Sequence, residues 1–325
     1  MLFDILYFLM LLKLNIGDDI LNITIINQVI ILFLIIIVGI YASKKKIITD
    51  EGNKTLSNFL LNIALPFLIL SSFDYNISKE VIHNACLIFI YSAVIHIFLI
   101  LVSKLFCLKY DKDKSIVSRC ALIYSNAGFM GYPLMAGLYG NTGVFYTAIY
   151  GIPYNILLFT YGVMLFNKTN FKTNKTASIK KILLNPGIIA IILGSILLVT
   201  NYKLPYPISQ AISLVGNMTT PLAMLIVGSM LSKLNIKEIF KEPIVYYISF
   251  IKLIIIPILI FILATLIKAD YLLKNICILL EATPSAVVCS AFATQYNIEK
   301  DLAAKLVFIT TLFSIITIPI IMSIL

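Results

Sequence analysis

Ten stretches of the chain are almost wholly apolar, and short polar segments separate them. They cover residues 23–42, 56–73, 81–106, 116–139, 143–166, 182–200, 208–231, 243–267, 272–296 and 303–325. Each approaches the ~20 apolar residues that a bilayer's hydrocarbon core demands, so each predicts a spanning helix. Two of the ten are interrupted near mid-depth. Residues 121–140 (ALIYSNAGFMGYPLMAGLYG) and 277–295 (CILLEATPSAVVCSAFATQ) carry Gly, Ser and Pro inside the apolar run. Irregular backbone at that depth is tolerated only where protein or a water-filled cavity receives the freed groups. Breaks at corresponding positions of two halves point to a secondary transporter's binding site.

The two halves do correspond. Span 2 has Asn62 four residues before Pro66, followed by Ser71 and Ser72; span 7 has Asn217 four residues before Pro221, with Thr219 and Thr220 between. Span 4 carries Gly128, Gly131 and Pro133, and span 9 carries Pro284. Five spans per half is an odd number, so the second half must enter the membrane upside down relative to the first. The predicted fold is an all-α polytopic membrane protein of ten transmembrane helices in two inverted five-helix repeats, with helices 4 and 9 broken. Its organisation reads as an N-terminal extension over 1–22, a first repeat over 23–166, a cytoplasmic linker over 167–181 and a second repeat over 182–325.

Composition fits a membrane protein: of 325 residues 60% are hydrophobic and 12% charged, with a mean hydropathy of +1.01. A soluble domain of this size does not look like that. The net charge of +10 would suggest nucleic acid on a soluble chain. Here 19 of the 25 basic residues fall in loops after odd-numbered spans. By the positive-inside rule those loops are cytoplasmic and both termini lie outside, in a multi-pass protein of the plasma membrane. The five cysteines sit in or beside apolar segments without metal or redox spacing and read as packing residues. The first twelve residues lack a basic start and contain Asp4, so they read as an interfacial or loosely ordered extension.

Candidate chemistry gathers at the breaks. Gly128 and Gly131 allow close backbone approach, and Pro133 removes an N–H and frees a carbonyl. An unwound segment there leaves half-helices whose N-termini suit an anion, with Ser125 and Asn126 as side-chain donors. Pro284 and Ser285 mark the partner break. Glu281 is the acidic residue that lies within a span, about ten residues in, and such a carboxyl usually faces a cavity or a partner. Lys252, about nine residues into span 8, is its candidate partner, and the two are the coupling candidates. Asn62, Thr220 and Asn155 are further candidate lining residues. His96 and His83 read as packing residues. No Walker A, HExxH or GxSxG motif occurs, which argues against ATP-driven transport and enzymatic function. No cofactor or metal is expected.

Taken together, NIALPFLILSSF, SNAGFMGYPLMAGLYG, NPGIIAIILG, TTPLAMLIVGSML and EATPSAVVCSAFATQYN resemble the bacterial branch of the auxin efflux carrier family, from about residue 25 to 325. The resemblance implies that helices 4 and 9 cross at their broken centres, as in sodium/proton antiporters and bile-acid symporters. It also implies transport of organic anions such as malate or malonate, with Asn126 as a substrate contact and Pro133 and Pro284 marking the crossover. The expected activity is a permease for small mono- or dicarboxylates, with H⁺ or Na⁺ as coupling ion and no nucleic-acid partner. A homodimer through one face is compatible with that architecture. The alternatives are a sodium-coupled symporter of the bile-acid type, an anion channel or a ligand sensor.

Overall fold

A computed structural model describes residues 20–73, 79–166, 184–200, 202–232 and 242–325. The N-terminal segment before residue 20 and the linker 167–181 therefore lie outside the described residues. The described chain is helical, with one isolated β-bridge. The helices are α1 (Ile20–Lys44), α2 (Asp50–Phe59), α3 (Leu65–Ser71), α4 (Lys79–Phe106), α5 (Lys112–Ile123), α6 (Tyr132–Leu157), α7 (Val163–Phe166) and α8 (Pro186–Thr200). They continue with α9 (Tyr206–Asn217), α10 (Thr219–Leu231), α11 (Pro243–Phe250), α12 (Ile256–Leu266), α13 (Tyr271–Ala282), α14 (Val287–Tyr296) and α15 (Lys300–Ile324). Among the described residues six helical stretches are long and apolar enough to cross a membrane, and two shorter apolar helices accompany them. One of the six, Ala127–Phe166, is bent by Gly140, whose φ of 56° lies in the left-handed region. That turn divides α6 into two helices.

Four π-helical turns interrupt the helices: π1 (Leu60–Ala64), π2 (Ala127–Gly131), π3 (Leu158–Gly162) and π4 (Ile251–Ile255). Three of them share a cause. π1, π2 and π4 each end two residues before a proline: Pro66, Pro133 and Pro257. A proline within a helix lacks its N–H, and its ring collides with the carbonyl four residues back. A wide turn ahead of it, closed by Leu65 N–H to Leu60 O, Tyr132 N–H to Ala127 O and Ile256 N–H to Ile251 O, relieves both. Asn62 lies in π1, Asn126 caps π2 and Lys252 lies in π4. The prolines thus place the polar residues as well as bending the helices.

Two groups of helices pack mainly within themselves. α1 lies against α10, and α3 against α8 and α9. The α1–α10 contact is backbone against backbone: a Cβ on Gly228 would stand 2.1 Å from Ile36 O, and one on Gly39 2.4 Å from Leu225 O. The second group joins α4 with α5 and α6, α12 with α13, and α14 and α11 with α15. α5 begins at Asp111, whose side chain caps Lys114 N–H. That hydrogen bond holds the carboxyl below the usual carboxylate range.

Candidate functional site

The two broken helices meet at their breaks. α5 ends at Ile123 and α13 at Ala282, each followed by extended residues. Asn126 N–H donates to Pro284 O (2.8 Å) and Ala286 N–H to Tyr124 O (2.9 Å), forming the bridge between Ser125 and Ser285. Ser285 adds an Oγ donation to Ala121 O (2.9 Å), and its N–H donates to Thr310 Oγ1 (3.1 Å). Each break therefore satisfies the other's backbone groups, which buried backbone requires. The chain unwinds at residues 124–126, before the glycines rather than through Gly128–Pro133. The reason is that π2 absorbs the demand of Pro133 without losing the helix. Gly131 packs closely on α13: a Cβ there would come 2.9 Å from Leu280 Cδ2, a side-chain end that would have to shift.

A cluster of buried charge stands directly behind the bridge. Lys252 and Glu281 are both 0% exposed. Lys252 Nζ directs its donors to Ser125 Oγ (2.5 Å), Glu281 Oε2 (3.3 Å) and Leu122 O (3.3 Å), so all three N–H groups have acceptors. Glu281 also accepts from Ser125 Oγ (2.5 Å, on Oε2) and Tyr150 OH (2.7 Å, on Oε1). His96 packs at this point, with Nε2 3.6 Å from Glu281 Oε1. Tyr154 OH donates to Ser125 O (3.0 Å). Lys252 and Glu281 together carry no net charge, and Ser125 connects them to the bridge.

In front of the bridge is a cavity of about 340 Å³, at the small end of the usual range for ligand pockets. Ser125, Asn126, Gly128, Asn62 and Asn155 all line it. So do three helical starts: Ala127–Phe129 of π2, Val287 and Val288 of α14, and Asn185–Gly187 before and into α8. Asn126 is 3% exposed; its Oδ1 accepts from Phe129 N–H (3.3 Å), while its Nδ2 has no hydrogen-bond partner. Asn62 Nδ2 and Asn155 Nδ2 instead donate back to the carbonyls of Asn58 (2.8 Å) and Gly151 (2.6 Å). Thr220 is half-buried on α10 and is not among the lining residues. Three neutral amides and three positive helix ends make a surface complementary to an anion.

Residues 24–322 match the membrane transport protein family. The chain belongs to that family. It is also the family that the sequence motifs resemble, in the auxin efflux carrier group. This membrane transport protein is 29% identical over 304 residues to an uncharacterized transporter of Methanocaldococcus jannaschii, covering 90% of this chain and 96% of the relative. It is 22% identical over 306 residues to the uncharacterized transporter YfdV of Escherichia coli, covering 90% and 95%. It is 23% identical over 275 residues to a protein of Rhizobium meliloti named "Putative malonate transporter", covering 82% and 85%.

Several residues of this transporter's site escaped the sequence reading. Tyr150 lies in an apolar run rich in aromatics, and nothing in its spacing separates it from a packing residue. Asn185 was legible in principle: an Asn directly before a Pro at a helix start is an N-cap signature, and its Oδ1 accepts from Gly187 N–H (2.9 Å) and Ile188 N–H (3.3 Å). His96, read as a packing residue, is fully buried but stands within the charged cluster. His83 is exposed.

Proposed function

We propose that this protein is a secondary carrier for small organic anions, and that it holds the substrate's carboxylate at the crossing of the broken helices. The observation that carries this reading is Asn126: a buried amide with an unpartnered Nδ2, at the start of a helix, on the wall of a cavity. A buried donor without a partner costs about 1–3 kcal/mol, which a carboxylate ligand would recover. The relative named as a malonate transporter supports a small dicarboxylate.

Alternating access by two inverted five-helix repeats is the mechanism we favour. The two packing groups supply the bodies: α1, α3, α8, α9 and α10 as a scaffold, the crossing helices and their neighbours as the moving part. A second cavity of about 600 Å³, lined among others by Ser71, Phe73, Asn141, Lys203, Gln210 and Asn217, supports a path from the opposite side. The two cavities abut along α3, since Ile69 lines the smaller and Leu70 the larger. Phe73 is buried there, its ring 4.9 Å from that of Phe145 and pressed on Gly194, where a Cβ would come 2.5 Å from Phe73 Cγ. Asn62 and Asn217, the paired residues of spans 2 and 7, line different cavities, as inverted repeats would have it. Lysine distribution makes the Asn126 cavity cytoplasmic and Phe73 the outer seal.

Counterflow in proteoliposomes tests the reading. Labelled mono- and dicarboxylates should be taken up transiently when unlabelled substrate is inside. Unitary currents without counterflow would make the protein a channel, and saturable binding without flux would make it a sensor.

A further inference from the structure

The charged cluster contains one ring nitrogen whose position is unusual. His96 Nδ1 lies 2.7 Å from Ser92 O, a carbonyl that can only accept, so Nδ1 carries a hydrogen. The Ser92 hydroxyl is engaged elsewhere, donating to Tyr150 O at 2.6 Å. The other nitrogen, Nε2, is fully buried with no hydrogen-bond partner, and it faces Glu281 Oε1 at 3.6 Å. In the neutral ring Nε2 is a lone pair directed at a carboxylate oxygen, which is repulsive. With one more proton it becomes a donor to that oxygen. The groups facing the ring are Glu281 from α13, itself paired with Lys252 from π4, and Tyr150 and Tyr154 from α6. Lys252 already fills the cation position on Glu281 Oε2, which disfavours Na⁺ at the same carboxylate.

We infer that His96 Nε2, facing Glu281 Oε1, is the binding site of a single coupling proton. This rests on the carrier reading above for its transport role, though not for the site itself. The proton arrives from water, an N–H bond forms at Nε2, and the new donor points at Glu281 Oε1. The cluster of His96, Lys252 and Glu281 then changes from neutral to a net single positive charge. Two routes carry that change to the cavity. The His96 ring stacks edge-on to Tyr154, which lines the cavity, with centroids 5.4 Å apart. Glu281 also holds the Ser125 hydroxyl, beside Asn126. A bound proton therefore favours a bound anion, and by linkage the anion favours the proton to the same degree. Proton and carboxylate move together.

The chain has two histidines, His83 and His96. His83→Gln, at an exposed position, leaves His96 as the sole imidazole. Isotopically labelled histidine in that variant, in liposomes, gives a solid-state NMR signal from His96 alone. The proposal expects the Nδ1–H tautomer at high pH and conversion to the doubly protonated ring as the pH is lowered. An Nε2–H tautomer, or a ring that never gains a second proton while the protein stays folded, overturns it. The transport arm uses labelled malonate with the membrane potential clamped at zero and protein-free liposomes as control. One proton per anion gives about tenfold accumulation per unit of pH gradient, since one pH unit is 1.36 kcal/mol. His96→Gln should lose that accumulation, and the counterflow it retains should not vary with pH. Gradient-driven accumulation that survives His96→Gln overturns the proposal. Absence of counterflow by the wild type would count against the carrier reading alone, and the NMR titration would then decide the proton site.

Discussion

Removing one member of the Lys252–Glu281 pair should be far more damaging than removing both. Lys252→Met leaves Glu281 with its Ser125 and Tyr150 donors but without its lysine countercharge. Glu281→Gln leaves the Lys252 ammonium with Ser125 Oγ and Leu122 O only. Both side chains are 0% exposed, so solvent screens neither stranded charge. Each single substitution should cost about 3–5 kcal/mol. The Lys252→Met/Glu281→Gln double variant strands no charge: the new amide oxygen can accept from Tyr150 OH, and its NH2 can donate to the Ser125 oxygen that Lys252 no longer occupies. It should be no less stable than either single variant, a coupling of at least about 3 kcal/mol where independent sites would sum to about 6–10. The chain has no tryptophan, but Cys107, Cys120, Cys277 and Cys289 are buried free thiols. A thiol-reactive dye thus reports thermal unfolding, with the exposed Cys86 changed to Ser to remove background. At about 2–4 °C per kcal/mol, each single variant should melt roughly 6–20 °C lower. A double variant that loses the sum of the two would refute the pairing.

Three further outcomes follow from the packing. Phe73→Ala removes the ring that Gly194 and Phe145 enclose; thiol reagents added from outside should then reach a cysteine placed at position 126, and equal labelling with and without Phe73 would exclude the seal. Gly228→Ala forces a Cβ to within 2.1 Å of Ile36 O, a backbone atom that cannot move aside alone, so the dye assay should show a loss of about 1–3 kcal/mol or more; an unchanged melting temperature would mean that α1 and α10 do not pack this closely. Thr220→Val should leave transport kinetics unchanged because Thr220 does not line the cavity, whereas Asn62→Ala should raise the KM for substrate; the reverse ranking would displace the site toward α10.

Much of the helical layout was legible because a bilayer imposes a simple rule on length and polarity. Helical segments fall in each of the ten apolar stretches, and among the described residues six helical stretches are long and apolar enough to cross a membrane. The breaks were legible too, since Ser125, Asn126, Pro284 and Ser285 have no business in a plain span. Their exact placement was not. Proline argued for unwinding at Gly128–Pro133, but a π turn meets proline's demands more cheaply, and sequence carries little signal for π turns. Thr220 stands outside this cavity for a related reason: matching spans 2 and 7 by their Asn-to-Pro spacing does not fix which face either helix presents. His96 and Tyr150 are long-range partners of Glu281, and a solitary histidine or tyrosine in an apolar run gives no sign of what it faces.

The measurement that bears most directly on the account is counterflow of labelled malonate by the wild-type and Asn126→Ala proteins, with the two matched for melting temperature. Loss of one hydrogen bond to a charged carboxylate, worth about 1.5–3 kcal/mol, predicts a roughly 10- to 150-fold rise in KM. The account predicts a transient overshoot in the wild type that Asn126→Ala loses at low substrate and recovers in part at high substrate. Wild-type kinetics in Asn126→Ala, or no counterflow of any carboxylate by folded wild-type protein, would contradict it.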